Sequence, residues 1–271
     1  MTRDQGGQMH RAEFIALIAM MFATIALSVD AMLPALPSIG AELSPENPNR
    51  AQFIVATFIV GLGIGTFFTG PLSDAFGRKP VIIWGAGIYV LSAITAWLSQ
   101  SLEVVLAARL VMGLGAAAPR VVALAIVRDL YSGREMARMM SIAMLIFTLV
   151  PAIAPLMGAG IIALSGWRAI FLAFAVFAII IIAWMQLRLN EPLPVENRRP
   201  FRLPLMISAT REIFAHPAVR ISILVQTLCY GVLFSMILMV QPIFDQVFDR
   251  AESFPVWFGL VAVISGSASL L

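Results

Sequence analysis

The sequence predicts an all-α integral membrane protein, a bundle of about eight transmembrane helices arranged as six, a basic linker and two more. Three observations carry this. Hydrophobic residues make up 60% of the chain and charged residues 12%, where an ordinary soluble domain is near half apolar and about a quarter charged. Apolar runs long enough to cross a bilayer, roughly 20 residues at 1.5 Å each, recur along the whole length. They lack the two-residue alternation of a membrane barrel strand. Finally, the basic residues gather in alternate loops, as the ends of successive spans require.

The first span runs from about Ala12 to beyond Leu33, with Pro34 and Pro37 bending or ending it. Its length, Asp30 and the lack of a small-x-small cleavage site favour a retained helix over a secretory signal. The second span covers Ala51 to Thr69, where Gly61, Gly63 and Gly65 offer a small face for close helix contact. A short polar turn, Gly70-Pro-Leu-Ser-Asp-Ala-Phe-Gly-Arg-Lys-Pro80, leads to the third span, Val81 to Leu98. The fourth, Glu103 to Val127, holds Arg109 and Arg120 inside an apolar segment. After a charged connection from Arg128 to Arg138, the fifth, Met139 to Leu164, contains Pro151, Pro155, Gly158 and Gly160. The sixth covers Ala169 to Leu187. A polar, arginine-rich stretch then separates a six-span bundle (1–189) from the remainder, as a basic linker (190–220). The seventh span is Ile221 to Val240 and the eighth runs from Phe254 to Leu271, so residues 221–271 form the first two helices of a second bundle. The expectation is a chain that stops before its last helices, with a self-contained eight-helix protein as the alternative.

Charge sets the orientation. One side carries Arg3, Arg11, Arg78, Lys79, Arg128, Arg134, Arg138, Arg188, Arg198, Arg199, Arg202, Arg211 and Arg220, and the other only Arg50, Arg168 and Arg250. By the positive-inside rule the N-terminus, the Gly70–Pro80 turn and the linker are cytoplasmic, in a multi-pass protein of the inner (plasma) membrane. The net charge of +3 therefore reflects topology, and no nucleic acid partner is expected. Cys229, the single cysteine, forms no internal disulfide and has no metal-ligand spacing around it. His10 and His216 lie in cytosolic segments, and no nucleophile or metal constellation appears, so neither an enzyme nor a cofactor is expected.

Asp30, Arg109 and Arg120 are ionisable groups within spans, which is costly unless they face water or one another. Asp30 and Arg109 each lie about six residues from the outer end of their helix, roughly 9 Å below the boundary, and so could meet. Arg109 and Arg120 are eleven residues apart and return to one helix face, together with Gly113 and Ala116. That face is read as lining an aqueous cavity, with Arg120 either functional or snorkelling toward the cytoplasm. An acid in a water-poor cavity holds its proton more tightly, and a nearby arginine loosens that hold. Movement or a ligand beside the acid would then link proton release to binding. Met20, Met21, Met32, Met112, Met144, Met236 and Met239 are flexible groups suited to an adaptable pocket, or else packing residues. Gln226, Tyr230 and Gln241 are polar candidates for the cavity wall.

These motifs carry a resemblance. Gly70-Pro-Leu-Ser-Asp-Ala-Phe-Gly-Arg-Lys79 resembles the cytoplasmic signature between the second and third helices of the major facilitator superfamily. Arg109-Leu-Val-Met-Gly-Leu-Gly115 is similar to its fourth-helix arginine motif, with Met112 where glutamine is common. Pro151-Ala-Ile-Ala-Pro-Leu-Met-Gly158 resembles the fifth-helix antiporter motif. Asp30-Ala-Met-Leu-Pro-Ala-Leu-Pro37, Ala125-Ile-Val-Arg-Asp129 and Gly166-Trp-Arg-Ala-Ile-Phe171 together resemble the Bcr/CflA drug:proton antiporters. Leu124 stands where that subfamily often places a second arginine, so either Arg120 fills that role from the preceding turn or the substrate range differs.

The resemblance implies two six-helix halves opening alternately around a central cavity. It implies Asp30 as proton and cation site, Arg109 as its coupling partner, and the Pro151–Gly158 segment as a tight seam. It pairs Arg78 with Asp129 and docks Asp74 on a helix start in the second half. It further implies export of small hydrophobic or cationic drug-like molecules in exchange for protons, by a monomer at full length. A carrier of one metabolite and a non-transporting membrane subunit are the alternatives.

Overall fold

The computed structural model describes residues 9–267; Arg3 of the charge count and the eighth span's expected end at Leu271 lie outside the described residues. The described chain is helical throughout apart from short connections. Its α-helices are α1 (Arg11–Asp30), α2 (Leu36–Leu43), α3 (Phe53–Phe76), α4 (Arg78–Leu98), α5 (Leu102–Leu130), α6 (Gly133–Ser165), α7 (Arg168–Arg188), α8 (Leu203–Ala215), α9 (Pro217–Gln246) and α10 (Phe254–Ser267). Seven spans are long and apolar enough to cross a membrane, the first comprising α1 and α2 together; α10 is apolar but shorter in its described part.

Seven of the eight predicted spans are present as spanning helices, the eighth being represented by the shorter α10, and most of the helices are longer than the apolar runs. The polar turn at Gly70–Pro80 is largely helix: α3 continues through Pro71 to Phe76, and the reversal is confined to Gly77 at φ 102°. Only Tyr131 and Ser132 separate α5 from α6, where eleven connecting residues from Arg128 to Arg138 were expected. Hydropathy marks where a helix leaves lipid, whereas its backbone hydrogen bonds continue into the polar boundary. The linker contains α8, a helix that the apolar-run reading does not detect.

The packing centres on α5, with α3 and α4 against it, α7 on α4, α6 on α1 and α10 on α6. Glycines let the backbones approach. A Cβ on Gly61 would strike the carbonyl of Leu110, and one on Gly113 would strike that of Phe58. Gly65 repeats the Gly61 contact one turn on, against Leu114, while Gly63 faces open space, as i+2 on a helix must. Buried side chains fall into two clusters. One includes Met32, Phe58, Tyr89, Met112 and Phe171. The other includes Phe14, Leu17, Ile82, Ile126 and Met185, toward the basic end.

Ion pairs collect at the two ends of the bundle. At the basic end Arg188 grips Glu13 through Nε (2.7 Å) and Nη2 (2.8 Å), and Arg11 pairs with Glu135. At the opposite end Glu42 accepts from Arg168 Nη1 and Trp167 Nε1, both at 2.7 Å, and Arg50 meets Glu103. Successive helix ends thus alternate between two polar surfaces.

Candidate functional site

α1 stops at Asp30 for a local reason. Pro34 has no N–H to give the Asp30 carbonyl, and Pro37 none for that of Leu33, so the chain tightens into a 3-10 turn over Leu33–Ala35 before α2. The break leaves the Asp30 side chain on the wall of a cavity of about 550 Å³ between α1, α6, α9 and α10. Asp30 is 6% exposed and makes no hydrogen bond or ion pair among the described residues. Phe147, Phe234, Phe244, Phe254, Trp257 and Phe258 supply aromatic walls. Among the described residues of the lining Asp30 is the sole charged one, and Ser265 is the other small polar group. In an apolar chamber a lone carboxyl can be held protonated or can face a positive charge.

Arg109 lies elsewhere than expected. It is wholly buried at 0% exposure, and it does not pair with Asp30. Its Nη2 donates to the Ser28 carbonyl (2.7 Å), its Nε to the Ile54 carbonyl (3.1 Å) and its Nη1 to Met112 Sδ (3.6 Å). The guanidinium carbon rests 4.3 Å over the Phe58 ring. Ser28 and Asp30 are two residues apart, so their side chains point to different faces of α1. Arg109 therefore clamps the backbone of α1 from one face while Asp30 meets the cavity on another. Two residues missed in the sequence join this clamp: Ser28 Oγ gives its proton to the Thr24 carbonyl (2.6 Å), so Tyr89 donates to Ser28 Oγ (2.7 Å). The available signal was a hydroxyl beside Asp30 and a lone tyrosine within an apolar span.

The cavity wall also differs from expectation. Met112 and Gly113 are buried where α5 packs on α3, and neither lines the cavity. Gln226 and Tyr230 are exposed on α9; Tyr230 instead stacks on Phe234 at 6.4 Å. Gln241, also proposed for the wall, is buried but lies in a separate pocket near Pro48 and Gln52. Arg120 is exposed on α5. Of the methionines singled out, Met236 alone reaches the cavity, which is aromatic instead of Met-rich.

The motif after α3 forms a compact ionic knot. Arg78 binds Asp129 through Nε (2.7 Å) and Nη2 (3.5 Å), and its Nη1 donates to Asp74 Oδ1 (2.6 Å) and Ser73 Oγ (2.7 Å). Asp74 is thus partnered within the motif. Gly70 has no close neighbour, while Gly77 provides the left-handed turn. Glu191 was not anticipated. Its two oxygens accept from the backbone N–H groups of Arg78 (2.8 Å) and Lys79 (2.9 Å), capping α4 from the linker. Lys79 Nζ returns the contact to the Leu189 carbonyl (2.6 Å), and Arg199 N donates to the Asp74 carbonyl (2.9 Å).

On α6, Pro151 lines the cavity and Pro155 is buried. A Cβ on Gly158 would collide with the carbonyl of Ala31, the residue after Asp30. The seam between α6 and α1 is therefore closed beside the acid.

Comparison with known proteins accords with this architecture. The sequence model of the Major Facilitator Superfamily matches residues 16–271. The chain is similar to the uncharacterised MFS-type transporter YdgK of Bacillus subtilis, 29% identical over 93% of this chain and 63% of that protein. It is 32% identical to a bicyclomycin resistance protein homologue of Haemophilus influenzae, over 71% of this chain and 48% of the relative. The chain thus spans about half to two thirds of the length of these relatives. Its fold is similar to that of the human organic anion transporter MFSD10, with a TM-score of 0.72 at 18% identity, over 96% of this chain and 71% of that one. Taken with the seven spans and the paired Arg78 and Asp129, the match across nearly all of its length places this chain in the Major Facilitator Superfamily, a family of multi-pass membrane transporters.

Proposed function

We propose that this chain serves a proton-coupled exporter of small, apolar or cationic drug-like molecules, working by alternating access. The observation that carries the reading is Asp30, alone as a charged group among the described residues on the wall of an aromatic cavity of about 550 Å³. Proton and substrate compete for that carboxyl: the acid binds a proton when the chamber is empty and releases it when a cation or a polar dipole replaces it. Arg109 acts as coupling partner through the α1 backbone, and Arg120 is assigned to the cytoplasmic mouth. Gly70, Asp74, Gly77, Arg78, Lys79 and Asp129 form the gating knot. Pro151, Pro155 and Gly158 seal α6 against α1. The name of the Haemophilus relative, a bicyclomycin resistance protein homologue, supports a drug-like cargo, as does the scarcity of hydrogen-bonding groups in the chamber, which disfavours a polar metabolite.

In this reading residues 1–189 are a six-helix half, 190–220 a cytoplasmic linker and 221–271 the opening helices of a second half. The basic end faces the cytoplasm across the inner membrane. The test is transport in liposomes containing the purified protein. An imposed pH gradient drives accumulation of an apolar cationic dye in the native protein, and Asp30→Asn abolishes the dependence on the gradient. Gradient-driven transport that survives Asp30→Asn refutes the assignment.

A further inference from the structure

We propose that α8 is an amphipathic helix seated on the membrane surface, where it binds an anionic lipid leaflet. At 13 residues, about 20 Å long, it is too short to span. Leu203, Met206, Ile207, Thr210, Ile213 and Phe214 recur at three- and four-residue spacing and form one largely apolar stripe. Ser208 and Glu212 occupy the opposite side together with Leu205, and Arg211 flanks the stripe. No residue of α8 is buried, and Ile207 and Phe214 are 58% and 50% exposed. The described residues leave most of this stripe bare.

Two attachments hold α8 at the bilayer boundary. Upstream, Glu191 and Arg199 fasten the linker to the ends of α3 and α4. Downstream, His216 alone separates α8 from α9, a membrane-spanning helix. The charge of the segment then selects the lipid. Arg198, Arg199, Arg202, Arg211 and Arg220 stand against Glu191, Glu196 and Glu212. An apolar stripe flanked by arginine fits the interface of acyl chains and negatively charged headgroups. The linker thus becomes a lipid-responsive strap between the gating knot and α9. The inference does not depend on what the protein carries.

Site-directed spin labelling of the full chain in lipid nanodiscs tests it. Cys229→Ser removes the native thiol, and labels are attached through Ile207→Cys, Phe214→Cys, Ser208→Cys or Glu212→Cys. With phosphatidylglycerol present, labels at 207 and 214 are relaxed more by oxygen than by a water-soluble nickel chelate, and labels at 208 and 212 show the reverse. The contrast falls in pure phosphatidylcholine and with Arg202→Gln and Arg211→Gln combined. Equal nickel access at all four positions means a water-bathed helix and overturns the proposal. Shielding of 207 and 214 from both reagents means that protein covers the stripe and overturns it equally. A contrast indifferent to lipid charge removes the anionic-lipid assignment.

Discussion

Arg109 donates from Nη2 to the carbonyl oxygen of Ser28 at 2.7 Å, two residues before Asp30. The same guanidinium reaches Ile54 on α3, so a single buried cation on α5 ties the end of α1 to a second helix. Coupling between arginine and acid need not be a salt bridge. A displacement of α5 would be felt at Asp30 through the α1 backbone.

That geometry predicts the outcome of Arg109→Lys. The ammonium keeps the charge but cannot span carbonyls on two helices as the planar fork does. Thermal stability in detergent is expected to fall by roughly 2 kcal/mol, the scale of a lost charge-assisted hydrogen bond. Gradient-driven transport should fall with it while substrate binding is retained. Native coupling in Arg109→Lys would show that the charge alone matters.

Arg78 is the hub of the knot at the basic end, with its side chain 8% exposed against 23% for Asp129 and 48% for Asp74. Removing the hub strands its partners, whereas removing an exposed partner leaves the rest intact. Arg78→Ala is expected to destabilise by roughly 3 kcal/mol, and Asp74→Asn by less than about 1 kcal/mol. Comparative melting in detergent checks the order, in which Arg78 should cost more than Asp129 and Asp129 more than Asp74.

How far this was legible in the sequence depends on the range of the interactions. Seven of the eight spans, the polar ends and the Arg78–Asp129 pair follow from apolar length, arginine placement and motif resemblance, and are present in the structure. The direction of Arg109 was not legible, because a buried arginine satisfied by main-chain carbonyls has no sequence partner to reveal it. Asp30 and Arg109 were expected at one depth, but Arg109 binds the α1 backbone at Ser28 while Asp30 faces the cavity. Glu191 was missed because its targets, the N–H groups of Arg78 and Lys79, carry no side-chain signature and lie 113 and 112 residues away. The aromatic cavity was read as Met-rich for a related reason: which face of α9 and α10 turns toward α1 is a property of packing, and apolar residues occur on every side of both helices.

Glu191 gives its own prediction. As a cap supplied from the linker, it satisfies two N–H groups at the start of α4 that Gly77 cannot reach. Glu191→Ala should cost about 1–2 kcal/mol, as loss of an N-cap does. It should also raise hydrogen exchange at Arg78 and Lys79. Exchange there that is unchanged would mean that the capping contact does not persist in solution.

The glycines of α6 make a matched pair. Gly158→Ala places a methyl on the Ala31 carbonyl, whereas Gly160 has nothing within 4 Å. Gly158→Ala should therefore force α6 from α1 beside Asp30, costing about 1–3 kcal/mol as overpacking does and making vesicles leak protons. Gly160→Ala, relieved of glycine's backbone entropy, should be neutral or slightly stabilising. Proton leak measured in liposomes separates them; equal behaviour would show that the seam is not formed there.

Competition between proton and ligand at Asp30 can be observed without transport. Tetraphenylphosphonium, an apolar aromatic cation, is titrated into weakly buffered detergent solution of the protein while an indicator dye follows free protons. The native protein should release protons as the cation binds, and Asp30→Asn should lose that release. Release that persists undiminished in Asp30→Asn, or cation binding by the native protein with no release at any pH, would contradict a shared proton and cation site at Asp30.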